Sequence, residues 1–309
     1  GAGSLGSLLA GFLADDSQTE LMVHAKGDHG AMMVAKGLKI IGEAEVHIDS
    51  NQALFTLDEI GLPEQLYGTM DAILLTGKSK SISSLSSLAQ RLLRPNGIAV
   101  CLSNGLGHAE TLVDALGPHR VICGTTTYGA WRPEPGTIHF AGRGTIVFGR
   151  LQDGPSQVDV QPLLEAFTRS GLSCQWSEHG QAEVWMKVLL NIAINPIAAL
   201  SGVKNGELLQ PSLFSAALET MLEGARIARQ ERVHLPDDLA LERRLQEVLQ
   251  ATSENHCSML QDVRAGRDTE IAYLNQAVVE RGERIGVRAP MNQMLSAMVE
   301  ALTPSSNQH

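Results

Sequence analysis

The chain begins GAGSLGSLLAGFLA (residues 1–14), with glycines at Gly1, Gly3 and Gly6. Gly-x-Gly-x-x-Gly is the phosphate-binding turn of a dinucleotide fold when it leads from a strand into a helix. The helix half is legible, because Leu5, Leu8, Leu9, Phe12 and Leu13 recur at helical spacing. The strand half would precede Gly1, so the pattern predicts a short apolar strand upstream of this sequence, in the middle of the sheet. Each glycine has its own task. Gly1 permits a tight turn, Gly3 lets a pyrophosphate approach the backbone, and Gly6 lets helix and strand pack closely. Amide donors at Ser4 and Leu5, with the helix dipole, then hold the phosphates.

Working outward, TELMVH (19–24) reads as a short buried strand and KIIGEAEVHI (39–48) as strand–turn–strand at a sheet edge. DAILLTG (71–77), IAVCLS (98–103), RVICGTT (120–126), TIHFAG (137–142), TIVFGR (145–150) and LSCQW (172–176) read as strands, and 81–93 and 159–169 as helices. Strand–helix alternation predicts a parallel sheet with helices on both faces, and the later hairpins predict an antiparallel extension. The second strand ends His24-Ala25-Lys26-Gly27. An NAD site would place Asp or Glu there for the ribose 2′-hydroxyl. Lys26 suits a 2′-phosphate instead, with Asp28 two residues on, so the cofactor expected is NADPH.

From about residue 179 the strand signals give way to amphipathic helices at 179–202, 212–233, 238–251, 253–265, 268–285 and 290–302, with stops at Gly202, Gly286 and Pro290. The expected domains are 1–177, an α/β Rossmann-type dinucleotide-binding domain, and 178–309, an all-α domain, with the active site in the cleft between them. In EVWMKVLLNIAINPIAAL (183–200) the polar residues Lys187, Asn191 and Asn195 recur at i, i+4 and i+8, a stripe along one face of an apolar helix. Any one of them alone reads as a snorkelling or capping residue, but three in register read as a site. Pro196 frees the carbonyl of Ile192. In NHCSMLQDVRAGRDTEIAYLNQ (255–276), Asn255, Ser258 and Asp262 are expected to share a helix face. Gly266 is expected to interrupt that helix and Asp268 to cap the next, with Glu270 in its first turn.

The ordered set GAGSLGS (1–7), LTGK (75–78), SNGLG (103–107), GTTTYGA (124–130), WMKVLLNIAINPIAAL (185–200), NGELL (205–209) and SMLQDVRAGRDTEI (258–271) resembles the ketopantoate reductase family over essentially the whole chain. The resemblance implies NADPH-dependent reduction of 2-dehydropantoate to (R)-pantoate, a step toward pantothenate and coenzyme A. It implies that Lys187 is the catalytic lysine and Glu270 its acidic partner on the substrate hydroxyl. Asn191, Asn195, Ser258 and, more weakly, Asn255 resemble substrate-binding groups. Lys78 and Asn104 resemble residues at the nicotinamide end, and Lys26 the basic residue at the 2′-phosphate. Where the family's run after the glutamate has an acid and a glycine, this chain has Ala272 and Gln276, which leaves the exact 2-keto acid open.

Composition bounds the alternatives. The 309 residues are 43% hydrophobic, enough for a sizeable core, and carry a net charge of −10, which argues against a nucleic-acid partner. No apolar run reaches the ~18 residues of a membrane span. Cys101, Cys123, Cys174 and Cys257 form no Cys-x-x-Cys pair, so no metal site is expected, and they read as thiols of a reducing, cytoplasmic compartment. The expected partner is a small 2-keto acid, with the chain a monomer or homodimer. Competing readings are a reductase of another branched 2-keto acid and a non-catalytic NADPH-binding protein. A polyol-phosphate or 3-hydroxyacid dehydrogenase ranks lower, because Lys187 is the one cation of the polar stripe.

Overall fold

The computed structural model describes residues 1–302. The first part runs α1 (Ser4–Leu13), β1 (Met22–Ala25), α2 (Gly27–Lys36), β2 (Leu38–Gly42), β3 (Val46–Ile48), β4 (Leu54–Leu57), β5 (Met70–Leu75), α3 (Ile82–Leu92), β6 (Leu93–Cys101), α4 (His108–Leu116), β7 (Val121–Thr126), β8 (Gly129–Glu134), β9 (Thr137–Gly142), β10 (Ile146–Arg150), α5 (Gln161–Arg169) and β11 (Cys174–Ser177). Helices follow: α6 (Gly180–Ser201), α7 (Pro211–Gln230), α8 (Asp238–Ala251), α9 (Ser258–Arg264), α10 (Asn275–Arg284) and α11 (Pro290–Glu300). Packing divides the chain into two compact units. The first holds Gly1–Ser103 and His108–Glu183, and the second holds Asn104–Gly107 with the residues from Val184 on.

In the first unit the larger sheet has the order β11-β10-β7-β6-β5. β5, β6 and β7 pair in parallel, β10 runs antiparallel to β7, and β11 parallel to β10. Period-two alternation explains its burial on both faces. On β6, Val100 joins Ile122, Phe148 and Phe167 in one core, while Ala99 and Cys101 join Leu75, Leu112 and Val121 in another. Helix α1 supplies Leu9 and Leu13 to the first of these and Leu8 and Ala10 to a third core around Val23, Ile40 and Phe140. The fold is thus an α/β Rossmann-type domain followed by an all-α domain.

The structure corrects the expected sheet in one respect. The β8–β9 hairpin does not extend the larger sheet; it pairs with β2 and β3 in a separate four-stranded sheet, β3-β2-β9-β8, while β1 pairs only with β4, in parallel. The strand–turn–strand reading of 39–48 corresponds to the antiparallel β2–β3 pair.

His29 of α2 fastens these elements together. It is 3% exposed; its Nδ1 accepts from the Gly136 N–H at 2.9 Å, so its Nε2 carries the hydrogen and donates to Ser7 Oγ of α1 at 3.0 Å. Burial first, and Arg132 second, lower its pKa to about 4. The helix that opens with the glycine turn is therefore bound through a neutral imidazole to the helix that follows Lys26.

The second unit is organised by α6, whose Trp185, Val188, Leu189, Ile192 and Ala193 are buried. Gly224 of α7 lets the two helices meet, since a Cβ there would lie 2.6 Å from Ile192 Cδ1 and 2.8 Å from Leu189 Cδ2. By length and mean hydropathy α6 could cross a bilayer, but 61% of its most apolar window is buried inside the fold, as in a core helix. Gly202 ends it at φ +73°, and Gly266 and Gly286 end later helical runs at +62° and +73°.

Two expected helices are shorter than their periodicity predicts. The 253–265 segment becomes helical only at Ser258, and 268–285 divides into a 3₁₀ turn (Ile271–Tyr273) and α10, separated by Leu274 at φ −110°, ψ −99°. The polar tail PSSNQH lies outside the described residues.

A neutral buried histidine stabilises the fold above its unfolded pKa, and that contribution is lost as pH falls through the folded value. Between about pH 7.5 and about pH 4.5 the wild type is expected to lose about 2 kcal/mol more stability than His29→Gln. Urea unfolding at the two pH values measures this, and equal losses would contradict the buried neutral imidazole.

Candidate active site

The glycine turn has the construction that its sequence predicts. Gly3 is the N-cap of α1 in extended backbone, with no side-chain cap and no acid in the first turn. A Cβ on Gly3 would meet nothing nearer than Thr76 O at 4.0 Å, so the space above it is open, whereas one on Gly6 would run into Thr76 Oγ1 and lie 2.7 Å from Gly1 O. Gly3 leaves a cradle and Gly6 is required for close packing. The first-turn amides, Ser4 and Leu5 among them, lack intrahelical acceptors by the geometry of any α-helix. These residues fit a pyrophosphate. Thr76 Oγ1 donates to Gly1 O at 2.7 Å, and Lys78 follows two residues later, exposed on the loop after β5. Ala2 N–H donates to His24 O at 3.0 Å, tying the turn to the tip of β1.

At that tip Lys26 is exposed and is the N-cap of α2. Sequence shows Asp28 two residues past the lysine, and the fold brings two further carboxylates to this strand tip. Glu59, just beyond β4, accepts a hydrogen bond from the Gly27 N–H at 2.7 Å, and Asp58 pairs with His24 at 3.2 Å. Parallel pairing of Ala25 with Leu57 brings these carboxylates to the residues flanking Lys26 from a strand some thirty residues away.

In the second unit, α6 carries the polar stripe. Lys187 and Asn191 are half-buried and Asn195 is 7% exposed. The Lys187 side chain retains some surface, but its ammonium lies deep in the protein. Burial lowers its pKa to about 8, and the negative charge of Glu270 opposes the drop. Sequence left the sign of this shift open; desolvation wins.

The carbonyl freed by Pro196 has a partner: Asn275 Nδ2, at the start of α10, donates to Ile192 O at 3.1 Å and to Asn292 Oδ1 at 3.0 Å. Asn275 is fully buried, and it went unread in the sequence although the proline signalled an orphaned acceptor.

Cys257 caps α9, its Sγ accepting from Leu260 N–H at 3.4 Å, and its thiol faces Asn195 O at 3.6 Å. The first residue of α9, Ser258, is thereby brought to the end of the α6 stripe. Asn255 does not share the helix face with Ser258 and Asp262. It lies on the preceding loop, where its carbonyl accepts from Asn205 N–H at 2.9 Å, because the chain turns at Thr252–Glu254 before α9 begins. Glu270 is likewise not in the first turn of an α-helix; it precedes the 3₁₀ turn Ile271–Tyr273. The Asn104–Gly107 loop packs with this unit. Leu106 N–H donates to Tyr273 O at 2.9 Å, and Gly105, at φ +103°, has no room for a Cβ against Tyr273. Asn104 thus lies on a loop docked three residues past Glu270, in the same unit as Lys187.

A glycine cradle on an α/β domain and a desolvated lysine opposed by a glutamate on a helical domain are features that a nucleotide-dependent oxidoreductase requires. The family profile described as Ketopantoate reductase PanE/ApbA matches residues 1–153, and that of its C-terminal region matches 180–303. The chain belongs to the ketopantoate reductase family. A 2-dehydropantoate 2-reductase of Pyrococcus horikoshii is 33% identical over 302 residues, covering 97% of this chain and 95% of that protein. The crystal structure of a PanE/ApbA family ketopantoate reductase from Ralstonia eutropha JMP134 has 26% identity and a TM-score of 0.83, covering 98% of this chain and 96% of that one. D-mandelate dehydrogenase, in a ternary structure with NADH and anilino(oxo)acetate, shares the fold at a TM-score of 0.89 and 23% identity, over 100% of this chain and 98% of that one. The family is pyridine-nucleotide-dependent.

Proposed function

We propose that this chain reduces 2-dehydropantoate to (R)-pantoate with NADPH, in the route to pantothenate and coenzyme A, with Lys187 as general acid. The lowered pKa of Lys187 under the opposing charge of Glu270 carries the reading. The Gly1–Gly6 turn, with Ser4 and Leu5, holds the pyrophosphate, Lys26 meets the 2′-phosphate, and Lys78 and Asn104 serve the nicotinamide end. When bound, the reduced nicotinamide supplies hydride to the keto carbon.

The oxygen on that carbon gains negative charge and needs a proton. A lysine titrating at about 8 is mostly protonated at neutral pH, and it releases its proton more readily than a solvated lysine near 10.4. Its positive charge also stabilises the developing alkoxide in a site of low polarity. Glu270 keeps burial from stripping the ammonium of its proton and accepts from the substrate hydroxyl. Ser258 donates to the substrate carboxylate, Asn191 and Asn195 bind carboxylate or carbonyl oxygens, and Asn255 contributes from its loop. Four unpaired thiols fit a reducing, cytoplasmic setting. A second reading, reduction of another branched 2-keto acid, rests on Ala272, which is exposed, and on Gln276, which pairs with Glu280 at 3.3 Å. A panel of keto acids separates the two by kcat/KM.

Lys187→Ala is expected to lower kcat by roughly 10²–10⁴ while NADPH still binds. Near-normal turnover would remove the lysine from the chemistry. Lys26→Glu is expected to weaken NADPH binding about tenfold or more, through one lost attraction and one added repulsion. Unchanged NADPH affinity, read by fluorescence titration, would contradict the assignment of Lys26.

A further inference from the structure

The tip of β1 carries more negative charge than its own sequence shows. α2 needs an acceptor for its first amides, and its N-cap, Lys26, has none to offer. Glu59 fills that need through the Gly27 N–H at 2.7 Å. Its position is set by pairing: Leu57 lies opposite Ala25, Asp58 N–H donates to Ala25 O at 2.8 Å, and Glu59 follows. The same tip is bonded to the glycine turn through Ala2 N–H and His24 O. The pyrophosphate cradle and Glu59 therefore belong to one stretch of the first unit, within a ribose's reach along a dinucleotide. Glu59 is exposed, so its second oxygen can meet a ligand.

A carboxylate in this place does two opposite things. It accepts a hydrogen bond from a ribose 2′-hydroxyl, the task an acid at the end of the second strand performs in NAD sites. It also repels a 2′-phosphate and occupies the amide that such a phosphate would take. We infer that Glu59, delivered from the end of β4, is the residue that limits selectivity for the phosphorylated cofactor in this site, working against Lys26. The inference rests on the dinucleotide reading of the first unit but not on NADPH being the preferred form. A site with Lys26 as the N-cap of α2 and Glu59 on the next amide accepts both forms, with a small ratio between them.

The test uses the full chain and titrates NADPH and NADH by fluorescence, with 2′,5′-ADP and 5′-AMP as competing probes. Glu59→Gln keeps size and removes charge. The ratio of NADPH to NADH affinity is expected to rise about three- to fivefold, the upper end of one relieved charge repulsion near the surface. 2′,5′-ADP is expected to gain over 5′-AMP by a similar factor. Glu59→Ser, should Gln perturb α2, is expected to shift the ratio in the same direction, with circular dichroism confirming the fold. A ratio unchanged within twofold in both variants overturns the role of Glu59. Wild-type protein that prefers NADH, with the ratio still rising in Glu59→Gln, would count against NADPH as the cofactor yet uphold Glu59. Protein that binds neither nucleotide overturns both.

Discussion

Desolvating an ammonium group on an apolar helix is unfavourable, and the negative charge of Glu270 offsets part of that cost for Lys187. Lys187 lies on α6 among Trp185, Val188 and Leu189, all buried. Desolvation pulls its proton off, and Glu270 holds it on. The balance leaves the lysine pKa lowered to about 8, nearer to neutral pH than that of a solvated one. Without Glu270 the same burial would lower it further.

Other features follow from holding α6 in place. Its proline removes one backbone donor, and Asn275, supported by Asn292, takes up the carbonyl left behind. Asn292 in turn donates to Glu223 at 3.0 Å, and the Met291 and Asn292 amides at the start of α11 donate to the same carboxylate. A chain of buried polar groups thus links α6 at the carbonyl freed by Pro196 to α10, α11 and α7, although Asn275 Oδ1 is buried without a partner. On the other side, Cys257 joins the start of α9 to Asn195. The residues proposed to touch substrate are positioned by these bonds and not by the stripe alone.

Much of this was legible in the sequence where a single period dominates. The β5, β6, β7, β9 and β10 strands, α6 and α8 stood out because apolar alternation or helical spacing ran unbroken. The polar stripe of α6 and the glycine turn were legible for the same reason. What escaped was set by tertiary partners or hidden by weak formers. α2 begins GDHG, and two glycines argue against a helix until Glu59 and His29 supply its missing bonds. β8 contains Pro133 and lies at a sheet edge, where proline is tolerated. The β4 strand is four residues long. Glu270 was found by its motif, but its local structure was misjudged, since acids before a helical run are also common caps. No local signal connects Glu59 to Lys26; only the parallel register of β1 and β4 does.

The protonation of one side chain tests the core of this picture most directly. Lysine labelled with ¹³C at Cε, with the Lys187 resonance assigned by its loss in Lys187→Met, can be titrated by NMR in the full-length protein. The expected midpoint is about 8, moving lower still in Glu270→Gln as the opposing charge is removed. A midpoint near the ordinary lysine value of about 10.4, insensitive to Glu270, would show the ammonium to be solvated and would contradict its role as a tuned acid.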